Sequence, residues 1–117
     1  MISGIYNMTI EQGSTFKLAL YWKNSANNAI PLTNYTAKMQ IRASTGASVV
    51  LLELSSENTD QIQIYESQGA INLTIGYEPT HNLPPSVAVY DLEVTSPEGV
   101  RTTLLKGRCR IEGEVTR

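Results

Sequence analysis

Hydrophobic and polar residues alternate along this chain in short runs, with a period of two rather than the 3.6 of a helix. The clearest run begins at Phe16. Phe16, Leu18, Leu20 and Trp22 fall on one face, and Lys17, Ala19, Tyr21 and Lys23 on the other. Successive side chains of a strand point to opposite sides, so this segment predicts a strand with a core side and a wet side. Gly13 and Ser14 before it mark a turn from an earlier strand over Tyr6 to Glu11.

The pattern then repeats down the chain. Asn24 to Pro31 reads as a loop, dense in Asn, Ser and Pro. From Tyr35 to Arg42, Ala37, Met39 and Ile41 oppose Lys38, Gln40 and Arg42. Val49 to Leu54 is a nearly continuous apolar run, readable as a strand covered on both faces or as a short helical turn. Gln61 to Ile75 predicts a hairpin turning at Gln68-Gly69. Glu78 to Pro85 holds three prolines and reads as a loop, or at most one helical turn started at Pro79. Ala88, Tyr90, Leu92 and Val94 define the core side of a further strand. Ser96-Pro97-Glu98-Gly99 places Pro second and Gly fourth, as a type I turn prefers. A last long strand runs from Arg101 to Ile111, with Leu105, Cys109 and Ile111 on the face shared by Gly107. Turn signals every ~8–12 residues and about seven to nine strands are the pattern of a β-sandwich. The fold expected is a single all-β domain over residues 1–117, an immunoglobulin-like antiparallel sandwich.

Composition sharpens this. Charged residues make up only 17% of the 117, so Thr, Ser, Asn and Gln must supply much of the wet surface. That suits strands and turns better than helices. The formal net charge is −2, and the densest positive stretch, Lys106, Arg108 and Arg110, alternates along one strand. Nucleic-acid binding needs a concentrated basic face, so none is expected. No apolar run approaches the ~20 residues of a spanning helix, and no membrane association is expected. Met1-Ile2-Ser3-Gly4 shows neither a basic stretch nor a long apolar one, so no signal peptide is expected.

Catalysis has little to draw on. The chain has one histidine and one cysteine, in different kinds of segment, and no paired Cys or His spacing for a metal. Cys109 sits between Arg108 and Arg110, but on a strand both arginines leave its side of the sheet. It reads as a small buried apolar residue rather than an activated thiolate. His81 reads as a surface histidine in a loop. Phosphate loops, nucleophile elbows and dinucleotide fingerprints are absent from the sequence. No enzyme, cofactor or metal site is expected. The six tyrosines are scattered through the sequence, Tyr21 being the one expected to be most exposed.

Several segments taken in order carry a resemblance. They are Glu11-Gln12-Gly13-Ser14-Thr15-Phe16, then Ile30-Pro31-Leu32-Thr33-Asn34-Tyr35-Thr36-Ala37-Lys38-Met39-Gln40-Ile41-Arg42, and Val89-Tyr90-Asp91-Leu92-Glu93-Val94. Pro97-Glu98-Gly99, Leu105-Lys106-Gly107-Arg108 and the closing Val115-Thr116-Arg117 continue it. Together they resemble a small virion structural protein of tailed bacteriophages, similar to the N-terminal immunoglobulin-like domain of baseplate upper proteins. That domain attaches a receptor-binding protein to the tail tip. Asn34 stands where such sequences often have glycine, and Asn also tolerates a left-handed turn. Any helical linker and partner-holding region of those proteins has no counterpart here.

The resemblance implies a component of the virion, assembled in the host bacterial cytoplasm and repeated in a symmetric multi-copy array. Its partners would be other phage structural proteins at the tail, baseplate or neck. A capsid decoration protein and a host-surface carbohydrate-binding module are the alternatives. Candidate interface residues lie in the two Pro-containing loops and at the chain end: Asn24, Asn27, Asn28, Pro31, Glu78, His81, Pro84 and Arg117.

Overall fold

In the computed structural model, which describes residues 4–116, the alternating stretches become strands with their apolar sets turned inward. The strands are β1 (Gly4–Ile5), β2 (Met8–Glu11), β3 (Phe16–Tyr21), β4 (Thr36–Arg42) and β5 (Leu52–Ser55). They continue as β6 (Ile62–Tyr65), β7 (Ala70–Ile75), β8 (Ser86–Thr95) and β9 (Arg101–Glu112). A 3₁₀ turn, Glu66–Gln68, joins β6 to β7, and a short helix α1 (Tyr77–His81) precedes β8. The larger sheet has six strands in the order β1-β9-β8-β4-β5, with β2 also on β9, and the smaller has the order β3-β7-β6. Lettered as in immunoglobulin domains, β3, β7 and β6 are B, E and D, while β9, β8, β4 and β5 are G, F, C and C′.

One part of the expected architecture needs correction. The sandwich is not wholly antiparallel, because β1 and β2 both run parallel to β9. Period-two alternation fixes which face is buried but carries no information on strand direction. Parallel neighbours need a long crossover, and here nearly the whole domain provides it. The first strand, expected over Tyr6 to Glu11, begins only at Met8, and a short strand at Gly4–Ile5 precedes it. Tyr6 and Asn7 lie between the two, with the Tyr6 N–H donating to the Lys106 carbonyl (2.9 Å). The Asn7 Oδ1 accepts the Arg108 N–H (2.9 Å), and the Tyr90 hydroxyl donates to the Tyr6 carbonyl (2.6 Å). Gly107 makes this close approach possible, since a Cβ there would lie 2.2 Å from the Tyr6 carbonyl oxygen.

The core runs between the sheets. Met39, Ile41, Ile71, Leu73, Leu92 and Val94 are buried as their phase predicts. Leu18, Leu20 and Trp22 were expected equally deep, but they are only half-buried. Their phase is right and their depth is not, because β3 is an edge strand and no strand flanks it on the other side. Along β9 the inward phase slips. Leu92 faces Leu105 but Glu93 faces Thr103, leaving Leu104 as an extra, buried residue. Such a bulge lets two consecutive leucines both reach the core. In the run from Val49 to Leu54, readable as a covered strand or a short helical turn, Val49 is exposed and only Leu52 to Leu54 is strand, continuing to Ser55.

Two turns follow their residues closely. The Gly99 N–H donates to the Ser96 carbonyl (2.9 Å), and the Ser96 Oγ accepts the Val100 N–H (3.0 Å). Asn34 has φ 61°, the left-handed conformation its side chain tolerates.

Candidate interface surfaces

The loop leaving β3 is a small hairpin, not a slack connection. Trp22 O accepts the Ile30 N–H (2.9 Å), Lys23 bridges Ala29, and the Asn24 N–H donates to the Asn28 carbonyl (2.9 Å). The Asn24 Oδ1 accepts two backbone N–H groups, from Ala26 (2.9 Å) and Asn28 (3.0 Å). This is the Asx-type bonding that makes Asn a turn residue. Asn27 takes the left-handed conformation at φ 66° that closes the tip. The stem is held from below by Gly69, where a Cβ would lie 2.7 Å from the Trp22 carbonyl oxygen. Asn24, Asn27, Asn28 and Pro31 are all exposed on this braced tip.

The second loop occupies the opposite end of the small sheet. Tyr21 pairs with Ala70 at one end of β3 and Phe16 with Ile75 at the other, so ~17 Å of strand separates the loops. Helix α1 starts at Tyr77, two residues before the expected Pro79, and Pro79 sits within its first turn. Proline is tolerated there because the first helical N–H groups have no intrahelical partner. Thr80 is fully buried and anchors the turn, its hydroxyl donating to the Ser14 carbonyl (2.8 Å) and lying 3.0 Å from that of Tyr77. Glu78, His81 and Pro84 face solvent.

Sequence reasoning missed the residues that hold this end together. His81 Nδ1 meets Glu114 Oε1, and Gln12 bridges the two segments. Its Nε2 donates to the Leu83 carbonyl (3.0 Å), while its Oε1 accepts the Glu114 N–H (3.2 Å). Gln12 and Glu114 are brought together only by the β2–β9 pairing, and no local pattern announces it. This end is rich in acid: Glu11 stands directly opposite Glu112, with Glu78 and Glu114 in the neighbouring segments. Like charges in register repel, and Arg110 offsets part of this through Glu112 (2.8 Å).

The structure thus divides the sequence-predicted positions into two groups at opposite ends and does not gather them into one patch. Arg117 lies outside the described residues. Cys109 is fully buried, and burial pushes its thiol up to about 11. Arg108 and Arg110 are exposed on the other side of the strand. Among the described residues, no three His, Cys, Asp or Glu side chains come together as a metal-binding group. No helix there is long and apolar enough to cross a membrane.

Comparison with known proteins adds no relative to this picture: no protein-family model matches the chain, and no curated protein matches it.

Proposed function

We propose that this domain is a non-catalytic connector in a tailed-phage virion, joining tail, baseplate or neck components by protein–protein contacts. The observation that carries the connector role is the placement of two exposed, internally braced loops at opposite ends of the small sheet. A connector must touch two neighbours at once, and preorganised loops lose little entropy on docking. Each contact of standard size would take about 800 Å² of this surface. The virion setting rests on the resemblance to baseplate upper proteins alone.

The two ends differ in charge, and so should their partners. The α1 end carries the acidic cluster and complements a basic surface, whereas the Asn-rich tip offers neutral amides. The isolated protein is expected to be monomeric or weakly associated and to form a ring only on the partner that templates it. The test is to purify particles carrying loop variants and measure incorporation of the protein by mass spectrometry. Replacing the tip residues 25–28 with a two-residue turn, or changing Glu78 and His81 to Ala, should each remove the protein from particles without unfolding it. Particles that never contain this protein would overturn the virion reading. Particles that keep it with both loops altered would overturn the connector geometry.

A further inference from the structure

The six tyrosines are scattered in sequence, yet the register of the small sheet sets two of them in one row. Tyr21 of β3 pairs with Ala70 of β7, and Ala70 pairs in turn with Tyr65 of β6. Directly paired residues stand on the same face, and Leu18, Leu20, Ile71 and Leu73 occupy the inner one. Tyr21, Ala70 and Tyr65 therefore share the outer face. The tyrosines are 63% and 43% exposed, while Ala70 between them is 3% exposed. Two strand spacings separate the tyrosine backbones by ~10 Å. The next row is Ala19, Asn72 and Gln63, a methyl and two amides. Beyond Tyr65 the surface falls into a shallow recess lined by Thr33, Tyr35, Glu66, Ser67 and Gln68.

We propose that this row is a binding platform for a neutral oligosaccharide, with Tyr21 and Tyr65 stacking on two pyranose rings of one chain. The negative face of an aromatic ring attracts the polarised C–H groups on a sugar's flat side. The ~10 Å between the two tyrosine backbones approximates the length of a disaccharide, so each tyrosine would meet every second sugar. Asn72 and Gln63 supply amides, and the recess supplies hydroxyls, for the sugar's own hydroxyl groups. Across the three paired rows of this face the only charge is Lys17, two rows from the tyrosines. Glu66 of the recess is opposite in sign, so the platform favours a neutral glycan over an acidic one. The apolar area is divided into two rings with a methyl floor between them and amides beside them. A protein contact instead centres on one continuous desolvated cluster. A sheet also holds both rings at a fixed separation, as stacking on a repeating polymer requires.

The platform is independent of the connector reading and stands if that reading fails. Its test is titration of the whole chain with cellohexaose, maltohexaose and chitohexaose, followed by amide NMR shifts and calorimetry. At least one sugar should bind at sub-millimolar to millimolar concentration, with shifts confined to β3, β6, β7 and the 3₁₀ turn. Tyr21→Ala and Tyr65→Ala should each weaken binding about tenfold, as lost stacking predicts. Tyr21→Phe and Tyr65→Phe should keep most of it, because the ring remains. Tyr77→Ala, at an exposed tyrosine outside the row, should change nothing. The proposal fails if none of the three sugars binds at millimolar concentration, or if binding survives both alanine variants. It fails equally if natively folded Tyr65→Ala protein is lost from particles while no sugar binds, since the row is then a protein contact.

Discussion

The two outer faces of the sandwich are built from the same strand pattern but carry different chemistry. On the large sheet, one row reads Glu53, Gln40, Asp91 and Lys106, and the next Ser55, Lys38, Glu93 and Thr103. Lys38 pairs with Glu53 (3.8 Å), Arg101 with Glu93 (2.7 Å), and Gln40 donates to Glu53 (2.8 Å). Arg42 reaches both Gln40 (2.9 Å) and the Ala47 carbonyl (2.7 Å). On the small sheet the rows are Tyr21-Ala70-Tyr65 and Ala19-Asn72-Gln63, with Lys17 beside Thr74 beyond them. Covering the first face means desolvating charges already paired with one another, whereas covering the second means desolvating neutral amides and rings. This difference is the reason the oligosaccharide proposal is placed on the small sheet.

The largest effect should separate the two sheets from inside. Leu92 lies at the centre of the large sheet and is fully buried, so Leu92→Ala should cost about 2–5 kcal/mol in urea unfolding. Leu18 shares the same core from the edge strand and is half-covered, so Leu18→Ala should cost about 1–2 kcal/mol. Equal costs would mean that β3 is as enclosed as β8, contrary to the geometry described.

Next in size is the close approach of the N-terminal segment to β9 at Gly107. Gly107→Ala should destabilise by about 1–3 kcal/mol, because the new methyl overlaps the Tyr6 backbone. Hydrogen exchange should then show β1 released while β8 and β4 stay protected. A variant as stable as wild type, with β1 still docked, would refute that close approach.

Alkaline pH probes the same place through ionisation. Burial pushes the Tyr90 hydroxyl up to about 12 from 10.0, with smaller contributions from Tyr6 and Cys109. The Cys109 thiol rises to about 11 from 9.0 by burial alone. Both groups hold their protons more firmly when folded, so the unfolded chain releases protons first as pH rises. Their contribution is intact below pH 9.0 and is lost as pH climbs through 11 and 12. Stability should therefore fall over that window, less steeply in Tyr90→Phe and Cys109→Ala. Below it, Tyr90→Phe should cost about 1 kcal/mol through the lost bond to Tyr6. A stability curve flat to pH 12 in wild type would contradict the burial of both groups.

The smallest effects belong to the charged outer face. Lys38→Ala should shift stability by at most a few tenths of a kcal/mol, because that pair is exposed. Asp91 has its carboxyl pushed up, first by burial and then by Glu93, against the opposing pull of Arg42 and Lys106. Its ionised form is therefore disfavoured in the folded state, and Asp91→Asn should stabilise slightly near neutral pH. Solvent screening limits that gain to about a few tenths of a kcal/mol. A large loss from either variant would show that this face is cooperative rather than a set of separate surface pairs.

Much of this molecule is written locally. The phase of each alternating run placed Met39, Ile41, Ile71, Leu73, Leu92 and Val94 in the core, since a strand turns alternate side chains inward wherever it packs. The turns at Gly69, Ser96 to Gly99 and Asn34 were legible for the same reason, as they depend on the conformations single residues accept. The burial of Cys109 also followed from its place in the alternation. Of the interface positions, sequence indicated exposure for Asn24, Asn27, Asn28, Pro31, Glu78, His81 and Pro84, but not that they lie at opposite ends.

What remained hidden depends on pairing between distant segments. Strand direction leaves no mark in alternation, so β1 and β2 running parallel to β9 could be known only once the sheet formed. The depth of Leu18 and Leu20 was set by β3 standing at an edge, a property of sheet order rather than of the strand's own residues. Gln12, His81 and Glu114 meet because two termini of the fold converge. Tyr21 and Tyr65 share a row only because each pairs with Ala70. Sequence by itself determined which side of most strands is wet, the bulged β9 excepted. Tertiary structure alone decided which wet residues became neighbours, because strand pairing joins residues far apart in the chain.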